Sequence, residues 1–326
     1  MPDQTSTIIS KVWGMCNPLR DNGVSYGDYL EQLTYLIFLK MSDEYSKPPY
    51  RRETGIPFGY TWADMNTLKG AELEEQYKAT LEELGEQGGI LGKIFKGAVN
   101  KISSAAILYR IVQMIDQERW VSMSSDVKGE IYEGLLQKNA EDVKSGAGQY
   151  FTPRPLIRAM VRCVRPEPMK TITDPCCGSG GFFLAAQEYI ADEARYTLDR
   201  EKKAFLKKQT FYGNELVPST FKLCLMNLYL HNIGDIYGNV PVTLGDALLT
   251  DPGYRVDYVH QSALWQEVLH HLHQRGGSAG GGRPGLQPDG LLDHQLQQAA
   301  EFCPAHQHAP ERQRQGGCGS AGQRAL

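Results

Sequence analysis

The architecture of this 326-residue chain is set by one stretch, "KTITDPCCGSGGFFLAAQEYIADEA", which runs from Lys170 to Ala194. It begins with a short apolar run that predicts a β-strand ending at Asp174. Glycines follow and open an apolar run that predicts a helix. A strand, a glycine-rich turn and a helix in succession are typical of the unit from which parallel α/β sheets are built.

The alternation of strands and helices continues downstream of this unit. "KQTFYGNE" (Lys208–Glu215), "VPVTLGDAL" (Val240–Leu248) and "RVDYV" (Arg255–Val259) predict three further strands. "PSTFKLCLMNLYLHNIG" (Pro218–Gly234) predicts a helix with Pro218 in its first turn, where proline is tolerated. The pattern predicts a parallel, doubly wound α/β sheet, whose ligand site lies at the carboxyl ends of the strands.

Residues 1 to about 145 predict mainly helix, and we interpret their apolar faces as core. "YGDYLEQLTYLIFLKMSDEY" (Tyr26–Tyr45) and "SAAILYRIVQMIDQ" (Ser104–Gln117) carry apolar residues at helical spacing. "SSDVKGEIYEGLLQKNAEDV" (Ser124–Val143) starts with a capping serine and early acidic residues. "SKPPYRRETGIPFGYTWADM" (Ser46–Met65) predicts an ordered loop. The predicted domains are a helical domain, 1–145, and an α/β domain, 146–259.

Composition limits the classes of function. The net charge is −4 and the pI is about 6.1, so any DNA-binding surface is local or is supplied by a partner. Seven cysteines without a C-x-x-C pair predict reduced, structural thiols. The sequence has neither an apolar run of transmembrane length nor a signal-peptide pattern, which predicts a cytoplasmic protein without a membrane partner.

The composition changes after Val259. From His260 onward the chain has no Lys, Ile, Tyr, Met, Thr or Asn, and this segment holds seven of the eight histidines. Gly and Gln are abundant there, and no apolar periodicity is sustained. Such a segment can bury little apolar surface, which predicts a disordered tail over 260–326.

The strongest chemical signal is "DPCCGSGGF" (Asp174–Phe182). Gly178, Gly180 and Gly181 permit a tight turn and a close approach of backbone to ligand, and the following helix offers amides to a carboxylate. The spacing differs from the dinucleotide and P-loop patterns, and the motif lacks a phosphate-binding lysine. Its two cysteines lack further ligands at zinc spacing, so no metal is assigned. The alternative interpretation is an ordinary strand–helix turn.

Two acidic residues follow neighbouring strands. Glu215, at the end of "YGNE", is placed to accept hydrogen bonds from vicinal hydroxyls such as those of a ribose. Asp246, in "GDAL", can accept a hydrogen bond from an exocyclic amine. Either one alone would more often be a solvated carboxylate at a strand end. Together with the glycine turn they outline a nucleoside-like ligand with a charged tail.

"GAGQYFTPRPLI" (Gly146–Ile157) joins the two halves of the chain. Thr152 can cap a helix whose first residue is Pro153, while Tyr150 and Phe151 can shelter an apolar or aromatic ligand. The alternative is a capped linker whose aromatic residues belong to the core.

Together, "GAGQYFTPR", "DPCCGSGGF", "GNE" and "GDAL" resemble the modification (M) subunit of type I restriction–modification systems over roughly residues 1–259. That family comprises S-adenosylmethionine-dependent N6-adenine DNA methyltransferases, with a helical N-terminal domain and a Rossmann-like sheet. The resemblance implies that Glu215 holds the ribose of S-adenosylmethionine and Asp246 its adenine amine. It implies further cofactor contacts from Gln149, Tyr150, Phe151, Thr152, Pro153, Arg154, Ser179, Gly180 and Gly181. The implied partners are DNA, a specificity (S) subunit, a restriction (R) subunit and a second M subunit.

Members of this family carry Asn-Pro-Pro-Phe just after the fourth strand. The target adenine is flipped out of the duplex, and this motif positions its amino group next to the sulfonium methyl. "HQSALWQEV" (His260–Val268) stands in that place here. No catalytic residue is therefore assigned, and the sheet is predicted to be truncated within its catalytic domain.

A change of reading frame immediately after Val259 explains this departure. Codons for His-Gln-Ser-Ala-Leu-Trp exist that, one base further on, read Thr-Asn-Pro-Pro-Phe-Gly. "HQLQQAAEFCPAHQHAP" (His294–Pro310) and "RQRQGGCGSAGQRAL" (Arg312–Leu326) can be shifted in the same way to resemble the family's continuation. The hypothesis predicts that the chain as written does not methylate DNA.

Two other classes of function stay open. One is a non-catalytic module for assembly of the restriction–modification complex. The other is an S-adenosylmethionine-dependent enzyme with a non-DNA substrate, which would need an acceptor pocket after Val259. "HHLH" and "CPAHQH" in the tail resemble metal-binding tracts, but their ligand spacing is imperfect.

Overall fold

The computed structural model describes residues 14, 26–102, 104–121, 152, 154–247, 249 and 254–259. The helical half contains α1 (Tyr26–Ser46), α2 (Trp62–Asn66), α3 (Gly70–Glu86), α4 (Gly89–Phe95) and α5 (Ala105–Asp116). The second half contains α6 (Arg154–Val164), β1 (Ile172–Asp174), α7 (Gly181–Ala191), α8 (Arg200–Lys208), β2 (Phe211–Glu215), α9 (Pro218–Leu230), β3 (Val242–Leu244) and β4 (Tyr258–Val259).

The predicted parallel sheet is confirmed. Its strand order is β3-β2-β1-β4, and every pair is parallel. This order reverses between β1 and β4, which is the switch point where ligands bind in doubly wound sheets. Each predicted strand is present, although β4 is limited to two residues. The predicted truncation of the sheet stays a prediction.

The central strand β1 is buried, whereas the edge strand β4 is partly exposed. Ile172, Thr173 and Asp174 of β1 are all buried, as expected for a strand covered on both faces. β4 is held against β1 by Asp257, whose carboxylate accepts hydrogen bonds from the Thr171 amide at 2.8 Å and from Lys170 Nζ at 2.9 Å. The fourth strand is thereby fixed beside the first.

The helical half contains a polar hub, and its buried apolar residues belong to one core that it shares with the α/β half. The predicted helices Tyr26–Tyr45 and Ser104–Gln117 are confirmed as α1 and α5. Asp116, the last residue of α5, accepts hydrogen bonds from Lys40 Nζ, Trp62 Nε1 and Asn66 Nδ2 at 2.7, 2.8 and 3.0 Å. Burial would raise the pKa of Asp116, but these donors outweigh it and lower the pKa. The hub joins α1, α2 and α5.

Several predictions for the helical half and the tail lie outside the described residues. They include the helix Ser124–Val143, the domain boundary near residue 145 and the disordered tail 260–326. The ordered loop predicted over Ser46–Met65 is present, except that its last part forms α2. In the described part of the chain, every helix is too short or too polar to cross a membrane.

The two halves meet along α9. This helix begins at Pro218, as predicted, and lies against α1. The rings of Phe38 and Tyr229 are 4.9 Å apart, and Lys222 Nζ lies 3.5 Å from Glu31 Oε1. The segment after α9 continues the interface, since the Ile90 amide donates to the carbonyl of Ile236.

Arg52, from the ordered loop, closes the carboxyl end of α9. Its guanidinium lies over the rings of Tyr45 and Tyr229, 5.2 and 4.8 Å from their centroids. It also donates hydrogen bonds to the carbonyls of Tyr229 and Leu230, which are among the last of the helix and have no amide four residues further on within it. Burial lowers the pKa of this guanidinium, but the group stays charged and favours the negative end of the helix.

Arg52→Lys should reduce the free energy of unfolding by about 2 kcal/mol, because an ammonium cannot stack on two rings and reach two carbonyls at once. Chemical denaturation measures the effect. Arg51→Lys is the matched control, since Arg51 is exposed and should change stability by less than about 0.5 kcal/mol. Equal losses in the two variants would contradict this role for Arg52.

Candidate functional site

The turn between β1 and α7 is shaped by its glycines. Gly178 and Gly180 have φ values of 55° and 82°, in the left-handed region that favours glycine. A Cβ built on Gly178 would meet nothing within 4 Å, so the turn faces open space at that point. The Cys177 amide donates to the carbonyl of Asn214 at 3.0 Å, and the Gly180 amide to that of Cys177 at 2.8 Å. We call residues 175–181 the glycine turn.

The amino end of α7 has no side-chain cap, because its N-cap residue is Gly180. The first amides of an α-helix have no intrahelical partner, and they carry the positive end of the helix dipole. The Gly180 amide already donates to the carbonyl of Cys177, so Gly181 is the residue that offers a backbone donor to an anionic group such as a carboxylate. Ser179, the third residue predicted here, is buried.

Glu215, at the end of β2, is buried beside the glycine turn. Its Oε2 accepts a hydrogen bond from the Gly178 amide at 2.9 Å, and its Oε1 accepts one from the Val217 amide at 2.8 Å. The carboxylate thus ties the turn to the neighbouring strand end. A carboxylate offers about four acceptor positions, so roughly two remain for the hydroxyl groups of a ligand.

Asp246 lies one strand further along the same edge. The amide of Gly245 donates to the carbonyl of Glu215 at 3.0 Å, which sets the residues after β3 beside the end of β2. Asp246 is partly exposed. Glu215 and Asp246 therefore stand at adjacent strand ends, as the sequence predicted.

The structure describes only part of the predicted segment before α6. Thr152 and Arg154 are described and partly buried, whereas Gln149, Tyr150, Phe151 and Pro153 lie outside the described residues. Helix α6 packs against α7. The capping role of Thr152 stays a prediction.

Asp174, at the end of β1, was not assigned a role from the sequence. Its Oδ1 accepts a hydrogen bond from the Cys176 amide at 3.0 Å, and its side chain is buried. Burial raises the pKa of Asp174 to about 7; the bond from Cys176 opposes the rise, and the charge of nearby Glu215 adds to it. The sequence signal that could have revealed this residue is its position, directly between a buried strand and the glycine turn.

The cysteines at the site are structural thiols. All four cysteines that the structure describes are free, as predicted, and Cys177 Sγ lies 3.8 Å from Cys224 Sγ. Burial raises the pKa of Cys177, which keeps the thiol protonated and unreactive. In the described ranges, no three His, Cys, Asp or Glu side chains are grouped closely enough to hold a metal ion.

Asp174→Asn should change how stability depends on pH. Because the folded pKa of about 7 exceeds the unfolded value near 3.8, protonated Asp174 stabilises the fold most below pH 4, and this contribution is lost as the pH rises through 7. Denaturation at several pH values should show the parent chain losing up to ~1.4 kcal/mol per pH unit relative to the variant.

Asp257→Asn is the control, because its effect on stability should depend on pH in the opposite direction. Burial would raise the pKa of Asp257, but hydrogen bonds from Thr171 and Lys170 outweigh it and lower the pKa. Its replacement should therefore reduce stability at neutral pH and have little effect in acid. Parallel pH profiles for the parent chain and Asp174→Asn would refute the raised pKa of buried Asp174.

Two family models match the chain. The HsdM N-terminal domain matches residues 8–115, and the N-6 DNA Methylase model matches residues 123–267. The methylase subunit of the type I restriction enzyme StySPI from Salmonella potsdam is 37% identical over 257 residues, covering 75% of this chain and 47% of the relative. The methylase subunit of EcoKI from Escherichia coli K12 gives the same identity and coverage. The chain therefore spans about half the length of these curated relatives.

Solved structures share the fold. A modification subunit from Vibrio vulnificus YJ016 superposes with a TM-score of 0.65 at 22% identity, covering 79% of this chain and 60% of that one. A type I restriction–modification methyltransferase subunit from Streptococcus thermophilus gives a TM-score of 0.58 at 17% identity, with coverage of 79% and 63%. Both support a helical region followed by a methyltransferase-like sheet. From the two domain models and the 37% identity, we conclude that this chain belongs to the methylase (M) subunits of type I restriction enzymes.

Proposed function

We propose that the carboxyl edge of the sheet binds S-adenosylmethionine for transfer of its methyl group to N6 of adenine in DNA. The observation that carries this proposal is the glycine turn held against buried Glu215 by the 2.9 Å bond from the Gly178 amide. It combines open space, the amino end of a helix without a side-chain cap, and a carboxylate in one place. A nucleoside with a charged tail needs these three features together.

The residues present fit that cofactor in chemical type. The Gly181 amide at the start of α7 suits a carboxylate, and the remaining acceptor positions of Glu215 suit ribose hydroxyls. Asp246 can accept from an adenine amine. Gln149 to Arg154 and Ser179 would complete the contacts. When bound, S-adenosylmethionine supplies an activated methyl group, and the chain orients it and excludes water.

The acceptor side of the reaction is where this chain departs from its family. Adenine must be flipped out of the duplex and held by a motif after the fourth strand. "HQSALWQEV" (His260–Val268) occupies that position, and it offers no equivalent of the asparagine and prolines. We therefore propose that a frame change after Val259 leaves a chain able to bind cofactor but unable to methylate DNA.

Partners follow from the family. We propose DNA as substrate, with an S subunit that reads the bases, an R subunit and a second M subunit, all in the cytoplasm. The net charge of −4 supports a contribution of DNA contacts by partners, since phosphate binding needs basic side chains.

A role as a non-catalytic assembly module is the second candidate. The polar hub at Asp116 joins helices of the helical half independently of any residue after Val259. Co-purification with the S and R subunits separates this role from that of an inert fragment. Retention of both partners by a chain that transfers no methyl group favours the module.

Glu215→Gln should weaken S-adenosylmethionine binding at least tenfold, because an amide has one acceptor oxygen where the carboxylate has two. Isothermal titration calorimetry measures the dissociation constant. Glu188→Gln is the control, since Glu188 lies partly exposed on α7 and pairs with Arg158 at 3.5 Å. Binding within twofold of the parent chain for Glu215→Gln would count against the ribose role.

Removal of one base directly after the Val259 codon should restore methyl transfer. The restored product and the chain as written are each expressed with an S subunit in a host without adenine methylases. Transfer of labelled methyl groups to DNA is then measured. We expect incorporation only with the restored frame. Incorporation by the chain as written would refute its inactivity, and a codon sequence that does not yield Asn-Pro-Pro-Phe would refute the frame change.

A further inference from the structure

Helix α9 is buried on all sides over most of its length. From Thr220 to Leu230 every residue except Lys222 is buried. A helix without an exposed stripe must pack against different parts of the protein on opposite faces. One face of α9 contacts the helical half, and the other contacts the glycine turn.

The face toward the helical half carries Lys222 and Tyr229. Lys222 Nζ donates to Tyr35 Oη at 3.0 Å. Tyr229 Oη donates to the carbonyl of Thr54 at 2.6 Å. At 100° per residue, Lys222 and Tyr229 lie within about 20° of each other around the helix. This face is therefore fixed by residues from α1 and from the ordered loop.

The opposite face carries Cys224, Asn227 and Leu228. A Cβ built on Gly180 would lie 3.1 Å from Cys224 Sγ and 3.3 Å from Leu228 Cδ2. Asn227 Nδ2 donates to the carbonyl of Ser179 at 3.0 Å, and both residues are buried. By helical spacing, Asn227 lies about 160° away from Tyr229. The helix thus stands between the helical half and the glycine turn.

If Asn227 served packing alone, it would lower the stability of the fold. Its side chain is fully buried, and its Oδ1 has no hydrogen-bond partner among the described residues. A buried, unsatisfied acceptor lowers stability, and asparagine is a poor helix former. Leucine would fill similar space without these penalties. The amide is explained by its bond to Ser179.

That bond acts on the geometry of the turn. The carbonyl of Ser179 and the amide of Gly180 belong to one rigid peptide plane. Fixing the carbonyl oxygen therefore fixes the direction of the amide at the start of α7. The Gly180 amide in turn donates to the carbonyl of Cys177, so the orientation is held from both sides.

We propose that Asn227 is a positioning residue for the glycine turn, through which α9 transmits the placement of the helical half to the cofactor site. Asn227 acts through Ser179 and does not touch the cofactor. This role deepens the proposed function, and its effect on cofactor binding rests on that function. Its mechanical part, the ordering of the turn, stands independently of cofactor binding.

The test compares Asn227→Leu and Asn227→Ser with Gln32→Leu in the full chain. Gln32 is the matched control because it is also a fully buried amide, with Nε2 donating to the carbonyl of Val99 at 3.0 Å. Its contacts lie within the helical half. Thermal unfolding, hydrogen exchange at the amides of Cys177, Gly178 and Gly180 without cofactor, and the dissociation constant of S-adenosylmethionine are measured.

We expect both Asn227 variants to raise exchange at these amides at least tenfold and to weaken S-adenosylmethionine binding about fivefold, as for loss of one hydrogen bond. Gln32→Leu should lower the unfolding temperature comparably without either change. If Asn227→Leu does not fold, the serine variant carries the test. Unchanged exchange and affinity in a folded Asn227 variant would overturn the proposal, as would equal changes in Gln32→Leu.

Failure of the proposed function can be distinguished from failure of the positioning role of Asn227. If the parent chain binds no S-adenosylmethionine, the cofactor assignment falls, and hydrogen exchange alone decides the role of Asn227. Faster exchange confined to the turn would then still support positioning, whereas uniform or unchanged exchange would refute it.

Discussion

The hydrogen bond from the Gly178 amide to Glu215 Oε2 is the contact on which the site depends. It joins the turn after β1 to the end of β2, two strands that pair in parallel. Gly178 can take part because glycine tolerates the left-handed backbone conformation of this position. The space where a Cβ would stand is also open. Without this contact the amino end of α7 and the carboxylate would not be held side by side. The chemistry proposed for the chain is therefore a consequence of sheet topology.

Local sequence was enough to predict the elements that build this edge. The apolar run before Asp174, the glycines after it and the helix opened by Pro218 are local signals, and each gave the correct element. The parallel arrangement followed from the alternation of strands and helices. Glu215 and Asp246 were predictable because the residues that follow parallel strands meet at one edge. The family resemblance added the expectation of S-adenosylmethionine as cofactor and of a base-positioning motif after the fourth strand.

Other features depend on contacts between residues far apart in the chain. Arg52 reaches the end of α9 across 177 and 178 positions, and Asn227 reaches Ser179 across 48. Neither side chain belongs to a local pattern, so periodicity and capping signals could not reveal its role. The raised pKa of Asp174 arises from burial by the completed fold. Local patterns predicted which residues lie at the carboxyl edge of the sheet but not which contacts hold that edge in place.

Photochemical labelling would test most directly whether the carboxyl edge of the sheet binds the cofactor. The chain is irradiated with methyl-tritiated S-adenosylmethionine, with and without excess S-adenosylhomocysteine, and the labelled peptides are sequenced. The cofactor site described above predicts label that the competitor removes, in peptides from Thr171–Arg195 or Phe211–Lys222. Label confined to the helical half, or label that the competitor leaves unchanged, would contradict it.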